Sequence, residues 1–298
     1  MFGVQHPTPL MGTMNLVTTR PAREMALAAP TTAGRMLTLV PWRGRAIVGT
    51  SHAHALAQPG ARPTGAEVDR FIAEANEAFP SLGLARDEVA LVHWGLVPAV
   101  TLPGKAPELQ AAPTIQDHAR DGAPGAMTVI GVKYTTARAV AERAVNLAAR
   151  VLQRKVGRSA TANTLLPGAA IADHEALAIE TARKLRIDLA SPILTRLAEV
   201  YAERSADIIR LMIDDASLRE PLAADSAVTG AEIVHVIREE MAMHLTDIVL
   251  RRTAIGAAGH PGDELLHACA RIAAGERGWD EATVSAEIAA VEAAYVVP

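Results

Sequence analysis

MTVIGVKYTTARAVAERAVNLAAR, Met127 to Arg150, decides the fold. It opens with the β-branched run Thr128-Val129-Ile130, which predicts a short buried strand. Gly131 ends the run and lets backbone come close to whatever lies above it. Lys133 follows, then Thr135 and Thr136. A helical pattern comes next, with Val140, Ala144, Leu147, Ala148 and Val151 as its apolar stripe. A Thr pair at a helix start offers a capping oxygen, and the helix directs unpaired N–H groups out of the strand end. With Lys133 beside them, these groups suit an anionic or electron-rich ligand.

The same letters, VIGVKYTTAR followed by VAERAV, resemble the flavin-contacting segment of the FAD-dependent glycerol-3-phosphate dehydrogenases. That family's usual form is G-G-K-x-T-T-x-R before a helix beginning near A-E. Gly131, Lys133, Thr135, Thr136, Arg138, Ala141 and Glu142 match it, and Val132 replaces the second Gly. The resemblance implies FAD as cofactor, with Gly131, Lys133, Thr135 and Thr136 against it and Lys133 near the reacting centre.

Working outward, Arg35 to Val40 and Arg45 to Thr50 read as strands joined by a turn over Pro41-Trp42-Arg43-Gly44. Asn15 to Thr19 is a third candidate strand. MLTLVPWRGRAIVGTSH resembles the family segment that roofs the substrate pocket with antiparallel sheet, which implies Thr50, Ser51 and His52 near the substrate. His52 and His54 form an H-x-H pair, but no third ligand stands at a recognisable spacing, so no metal is expected. Thr64 to Phe79 is a helix with a capping box, Thr64-x-x-Glu67, a buried stripe of Val68, Phe71, Ile72, Ala75 and Phe79, and Pro80 as its stop. Val89 to Val100 predicts a strand running into a Gly95-Leu96 turn.

Three positions depart from the family's substrate set. Its G-x-R-P reads Gly95-Leu96-Val97-Pro98 here, so Val97 stands for an Arg. A second Arg is Gln116, within Thr114 to His118, and a common His is Asn15. Arg grips a phosphate with a charged bidentate fork, which Val and Gln cannot supply. Each lost charged hydrogen bond costs roughly 1.5–3 kcal/mol. The resemblance therefore implies a divergent branch acting on a small-molecule secondary alcohol, with His52 and His118 as candidate proton acceptors.

From Thr161 to Gly168 the chain resembles the family's linker, TANTLLPG. Beyond it helix follows helix: 173–187, 191–202 with a Ser191 cap and Pro192, 205–213, a long helix over 229–253, 261–274 and 281–295. The long helix sets Glu240 with His244, and His235 with Glu239, four residues apart, which reads as solvated pairing rather than a metal site. Its EEMAMHLTDIVLRRT is a second point of resemblance to the family. The expected fold is α+β: an antiparallel substrate-cap sheet with the closing strand and helix of an FAD/NAD(P)-binding-like domain over 1–165, then an all-α C-terminal domain over 166–298.

Bulk properties narrow the function. Hydrophobic residues at 50% exclude global disorder. Residues 1–150 carry 14 basic and 11 acidic side chains and the remainder 15 and 22, so no basic surface for nucleic acid is expected. The single Cys269 permits no internal disulfide and fits a reducing cytoplasm; its helical setting predicts a buried thiol. The start, MFGVQHPTPLMG, has no signal-peptide pattern, and the apolar stretch Ala90 to Leu102 is too short to span a bilayer, which leaves peripheral membrane contact open. No G-x-G-x-x-G follows a strand; Gly256, Gly259 and Gly262 match only in spacing. FAD binding is thus expected to need an upstream or separate FAD-binding half, the alternative being a non-catalytic helical interaction module. No feature of the sequence names the electron acceptor.

Overall fold

The computed structural model describes residues 8–22 and 24–298. Residues 1–7, which carry part of the leader reading, and the side chain of His54 lie outside the described residues. Six strands form one antiparallel sheet in the order β2-β3-β4-β1-β5-β6: β1 Leu10–Thr18, β2 Leu27–Pro30, β3 Met36–Trp42, β4 Arg45–Leu56, β5 Val89–Val100 and β6 Glu108–Leu109. The β3–β4 turn is tighter than the sequence suggests. Trp42 pairs with Arg45 and Pro41 with Ala46, so only Arg43 and Gly44 form the loop. Both have positive φ, 48° and 75°, the geometry whose twist matches a two-residue hairpin.

Helix α1, Gly65–Ala78, covers one face of this sheet. Thr64 Oγ1 accepts the Glu67 N–H, and the Glu67 carboxylate accepts the Thr64 N–H in return. The stripe of Val68, Phe71, Ile72, Ala75 and Phe79 packs on Met14, Leu16, Leu37, Leu39 and Val48. The expected break at Gly95-Leu96 is absent. Strand β5 runs straight through, because β1 offers a partner at each residue from Leu10 opposite Pro98 to Val17 opposite Leu91.

Strands β7, Thr114–Asp117, and β8, Met127–Ile130, make a separate antiparallel pair, followed by α2, Ala137–Val151. Contrary to expectation β8 is not buried: Val129 is 46% exposed. The predicted helix stripe is also only partly realised. Val140 is buried and Ala144, Leu147 and Ala148 are half-buried, whereas Val151 lies at the surface. Both elements lack an apolar layer on their outer side among the described residues.

The C-terminal part is helical: α3 His174–Leu185, α4 Ser191–Tyr201, α5 Ser205–Asp214, α6 Gly230–Glu239, α7 Leu245–Asp247, α8 Asp263–Arg277 and α9 Glu281–Tyr295. Ser191 is the first residue of α4 and caps nothing; Ala190 holds the cap position. The single helix expected over 229–253 is two. Met241 takes φ 56°, and the Glu240 and Ala242 N–H groups both bond to Val236 O, which closes α6. The Asp247 carboxylate then accepts the N–H groups of Met243 and His244 and opens the next turn. Sequence periodicity runs through this break because Ile237 before it, Ala242 within it and Leu245 after it are all buried. His244 consequently turns to Glu287, 2.8 Å away, and shares no helix face with Glu240. Cys269 is fully buried on α8, and burial pushes its thiol up to about 12.

The two parts touch. Trp42 Nε1 donates to Ala257 O at 3.2 Å, and Arg86 donates to Pro298 O. Among the described residues no helix is long and apolar enough to cross a membrane.

Candidate functional site

Side chains alternate across a strand, so the row packed on the α1 core, Met14, Leu16, Val92 and Trp94, fixes the opposite row. That second row holds Thr13, Asn15, His93, Gly95 and Val97, all half-buried. Asn15 stands opposite His93 and Thr13 opposite Gly95. Strand β4 bulges beside Asn15, with the register jumping from Met14–Ser51 to Leu16–Val48. The bulge presents Thr50, whose Oγ1 donates to Asn15 Oδ1 at 2.8 Å. A Cβ on Gly49 would overlap Asn15 Oδ1, so a larger residue here would displace that side chain.

A cavity of about 470 Å³ opens where this row meets β8 and α2. Its lining includes Val97, Pro98, Gly131, Lys133, Tyr134 and Val140. A Cβ added at Gly95 or at Gly131 would meet nothing within 4 Å, so both backbones stand open to a ligand. Lys133 forms no ion pair among the described residues and is exposed. Thr136 does not cap α2 as expected; its Oγ1 donates to Lys133 O at 3.0 Å and braces the turn that carries the lysine. Thr135 lies within the same Tyr134–Thr136 turn and is exposed.

The remaining sequence-derived residues fall elsewhere. His118 is buried in the β7–β8 hairpin. Its Nδ1 lies 2.7 Å from the Asp121 carboxylate and its Nε2 2.7 Å from Thr128 Oγ1, so both ring nitrogens are engaged. Gln116 Nε2 donates to the same Asp121 at 2.9 Å. Ser51 is buried and lines, with His52, a small cavity of about 40 Å³ beside α1 together with Arg35, Arg70 and Glu74. Burial lowers the His52 pKa, and the Arg35 charge lowers it further against the opposing pull of Glu74. Lys133, Gly131 and Val97 thus come together, Asn15 and Thr50 share one row, and His118 with Gln116 form a network of their own.

One residue escaped the sequence reading. His93 directly faces Asn15, and burial alone lowers its pKa. The alternation of VALVHWGLVPAV carried the signal, once Val92 and Trp94 are assigned to the core.

Residues 159–284 match the family described as the C-terminal domain of alpha-glycerophosphate oxidase. Glycerol-3-phosphate dehydrogenase of Synechocystis sp. is 31% identical over 220 residues, 73% of this chain and 39% of its own length. Glycerol-3-phosphate dehydrogenase 2 of Mycobacterium tuberculosis is 27% identical over 257 residues, 84% of this chain and 42% of its own. The chain is related to the glycerol-3-phosphate dehydrogenases. It spans about two-fifths of these relatives' length. The solved glycerol-3-phosphate dehydrogenase from Bacillus halodurans, complexed with FAD, shares the fold: TM-score 0.74 at 23% identity, over 96% of this chain and 56% of that one. The mixed α+β architecture of sheet and helical C-terminal region is that of this glycerol-3-phosphate dehydrogenase.

Among the described residues, His260, Asp263 and Glu292 are close enough to approach one cation. The Gly262 N–H donates to His260 Nδ1, which leaves the proton on Nε2, aimed at Glu292. That tautomer opposes metal ligation through Nε2.

Proposed function

We propose that this chain is the substrate-cap and helical C-terminal portion of an FAD-dependent oxidoreductase acting on a secondary alcohol. The observation that carries the reading is the cavity where an open Gly131 backbone and the exposed Lys133 cation meet the Val97 end of the sheet. These residues fit a flavin: the glycine admits a flat ring close to the backbone, and the lysine suits an electron-rich edge. FAD, when bound, supplies a two-electron acceptor for a hydride. Lys133 holds positive charge where negative charge develops, and Thr136 fixes the turn that positions it. Asn15 and Thr50 orient a hydroxyl by hydrogen bonding, with their own bond setting the Asn15 amide.

The substrate is glycerol 3-phosphate or a related polyol or hydroxy compound. Val97 at the cavity offers no charge, and Gln116 is turned to Asp121, so a phosphate would be held weakly and an uncharged polyol is favoured. The domain division falls near residue 165. The partner is an FAD-binding half, and the surface it covers carries Val129, Tyr134, Val145, Leu152, Leu165 and Leu166, all exposed. A buried lone thiol, Cys269, suits a reducing compartment.

The test is co-production with an FAD-binding half, followed by anaerobic addition of glycerol or glycerol 3-phosphate. Bleaching of a bound flavin spectrum supports the reading. A pair that binds flavin yet is reduced by neither compound, nor by any secondary alcohol in a polyol and hydroxy-acid series, contradicts it.

A further inference from the structure

We propose that His93 is the proton acceptor of this site, taking the substrate hydroxyl proton as hydride leaves the same carbon. The proposal rests on the oxidoreductase reading above and adds a residue to it. Three placements carry it. His93 lies directly opposite Asn15, whose side chain is already fixed by Thr50. It shares a row with Gly95 and Val97, and Val97 lines the cavity that holds Lys133. Gly95 stands between them with open space above it, so a glycerol-sized molecule over Gly95 is about 7 Å along the strand from either neighbour's Cα.

The imidazole is also chemically available. Neither ring nitrogen of His93 has a hydrogen bond among the described residues, in contrast to His118, whose two nitrogens are both held. Burial favours the neutral ring, and no charged group contributes to that shift. A neutral imidazole is a competent base at neutral pH.

The step balances as follows. The substrate O–H bond breaks and its proton forms an N–H bond on His93. The adjacent C–H bond breaks, and its electron pair leaves with the hydrogen as hydride to oxidised flavin. The alcohol becomes a ketone, the flavin is reduced by two electrons, and the imidazolium later returns its proton to water.

Two readouts test this. In the flavin-loaded assembly, His93→Gln lowers the limiting rate of flavin reduction by glycerol or glycerol 3-phosphate by about 10²–10⁴-fold, erases the acidic limb of the pH–rate profile, and leaves FAD affinity and Tm unchanged. A rate within threefold of wild type with the limb intact overturns it, as does a loss that appears in His52→Gln and not in His93→Gln. The second readout needs no flavin: the ring resonances of His93 in the histidine-labelled chain, titrated with glycerol or glycerol 3-phosphate. Ligand-dependent shifts at His93 support the placement, and resonances that ignore both compounds overturn it. If the wild-type flavin is reduced by no alcohol, the oxidoreductase reading fails by itself, and the resonance titration decides whether His93 lines a polyol site.

Discussion

The two faces of the central sheet are built from the same strands to opposite ends. On one, Leu16, Leu37 and Val48 are fully buried and Phe71 of α1 is 1% exposed, with the Trp94 ring filling the space over Gly12. On the other, Asn15, His93, Gly95 and Val97 stay half-buried, and Val97 lines a cavity. The difference teaches where stability and function reside. Apolar area removed from water holds the first face together, while the Asn15–Thr50 pair and a His93 ring with no hydrogen bond among the described residues give the second face its chemistry.

Substitutions on the closed face have the largest effects. Phe71→Ala removes an entire buried ring and is expected to cost about 3–5 kcal/mol in urea unfolding, with ligand binding at the open face intact while the chain remains folded. Gly12→Val drives new atoms into the Trp94 ring and is expected to cost about 1–3 kcal/mol or more. Gly49→Ala lies between the two faces: its methyl displaces Asn15 from Thr50, at about 1–2 kcal/mol and with weakened polyol binding by calorimetry. Gly95→Ala, on the open face, is expected to change stability by less than about 0.5 kcal/mol while obstructing the ligand. A large loss of stability in Gly95→Ala would erase the contrast between the faces.

The pH dependence sharpens the same contrast. His52 beside α1 and His93 on the open face both have lowered folded pKa values. In each case the unfolded chain takes up a proton first, so full stability holds above pH 6.5 and falls as the pH drops below it toward the lowered folded values. His93→Gln and His52→Gln should each flatten part of that acid limb. Adding a polyol should steepen the limb in wild type and leave it unchanged in His93→Gln.

Much of this was legible in the sequence. The α1 capping box, its stripe, the strand-Gly-Lys-Thr-Thr-helix order and the buried Cys269 follow from local patterns that tertiary contacts do not override. Other features required the fold. Met241 accepts a left-handed backbone because Asp247 supplies acceptors for the N–H groups beyond it, a compensation that periodicity cannot register. Gly95 reads as a turn until its partner Thr13 is known. The roles divided among His52, His93 and His118 depend on cross-strand register and on which nitrogens are engaged, neither of which is local.

The most direct measurement is the visible absorption of flavin in the assembled pair, comparing wild type with Gly131→Val at equal folded protein. The open glycine beside Lys133 predicts bound-flavin bands in wild type and their loss in Gly131→Val, with unfolding midpoint and pair formation unchanged. Undiminished flavin binding in Gly131→Val would contradict the assignment of this cavity to the cofactor.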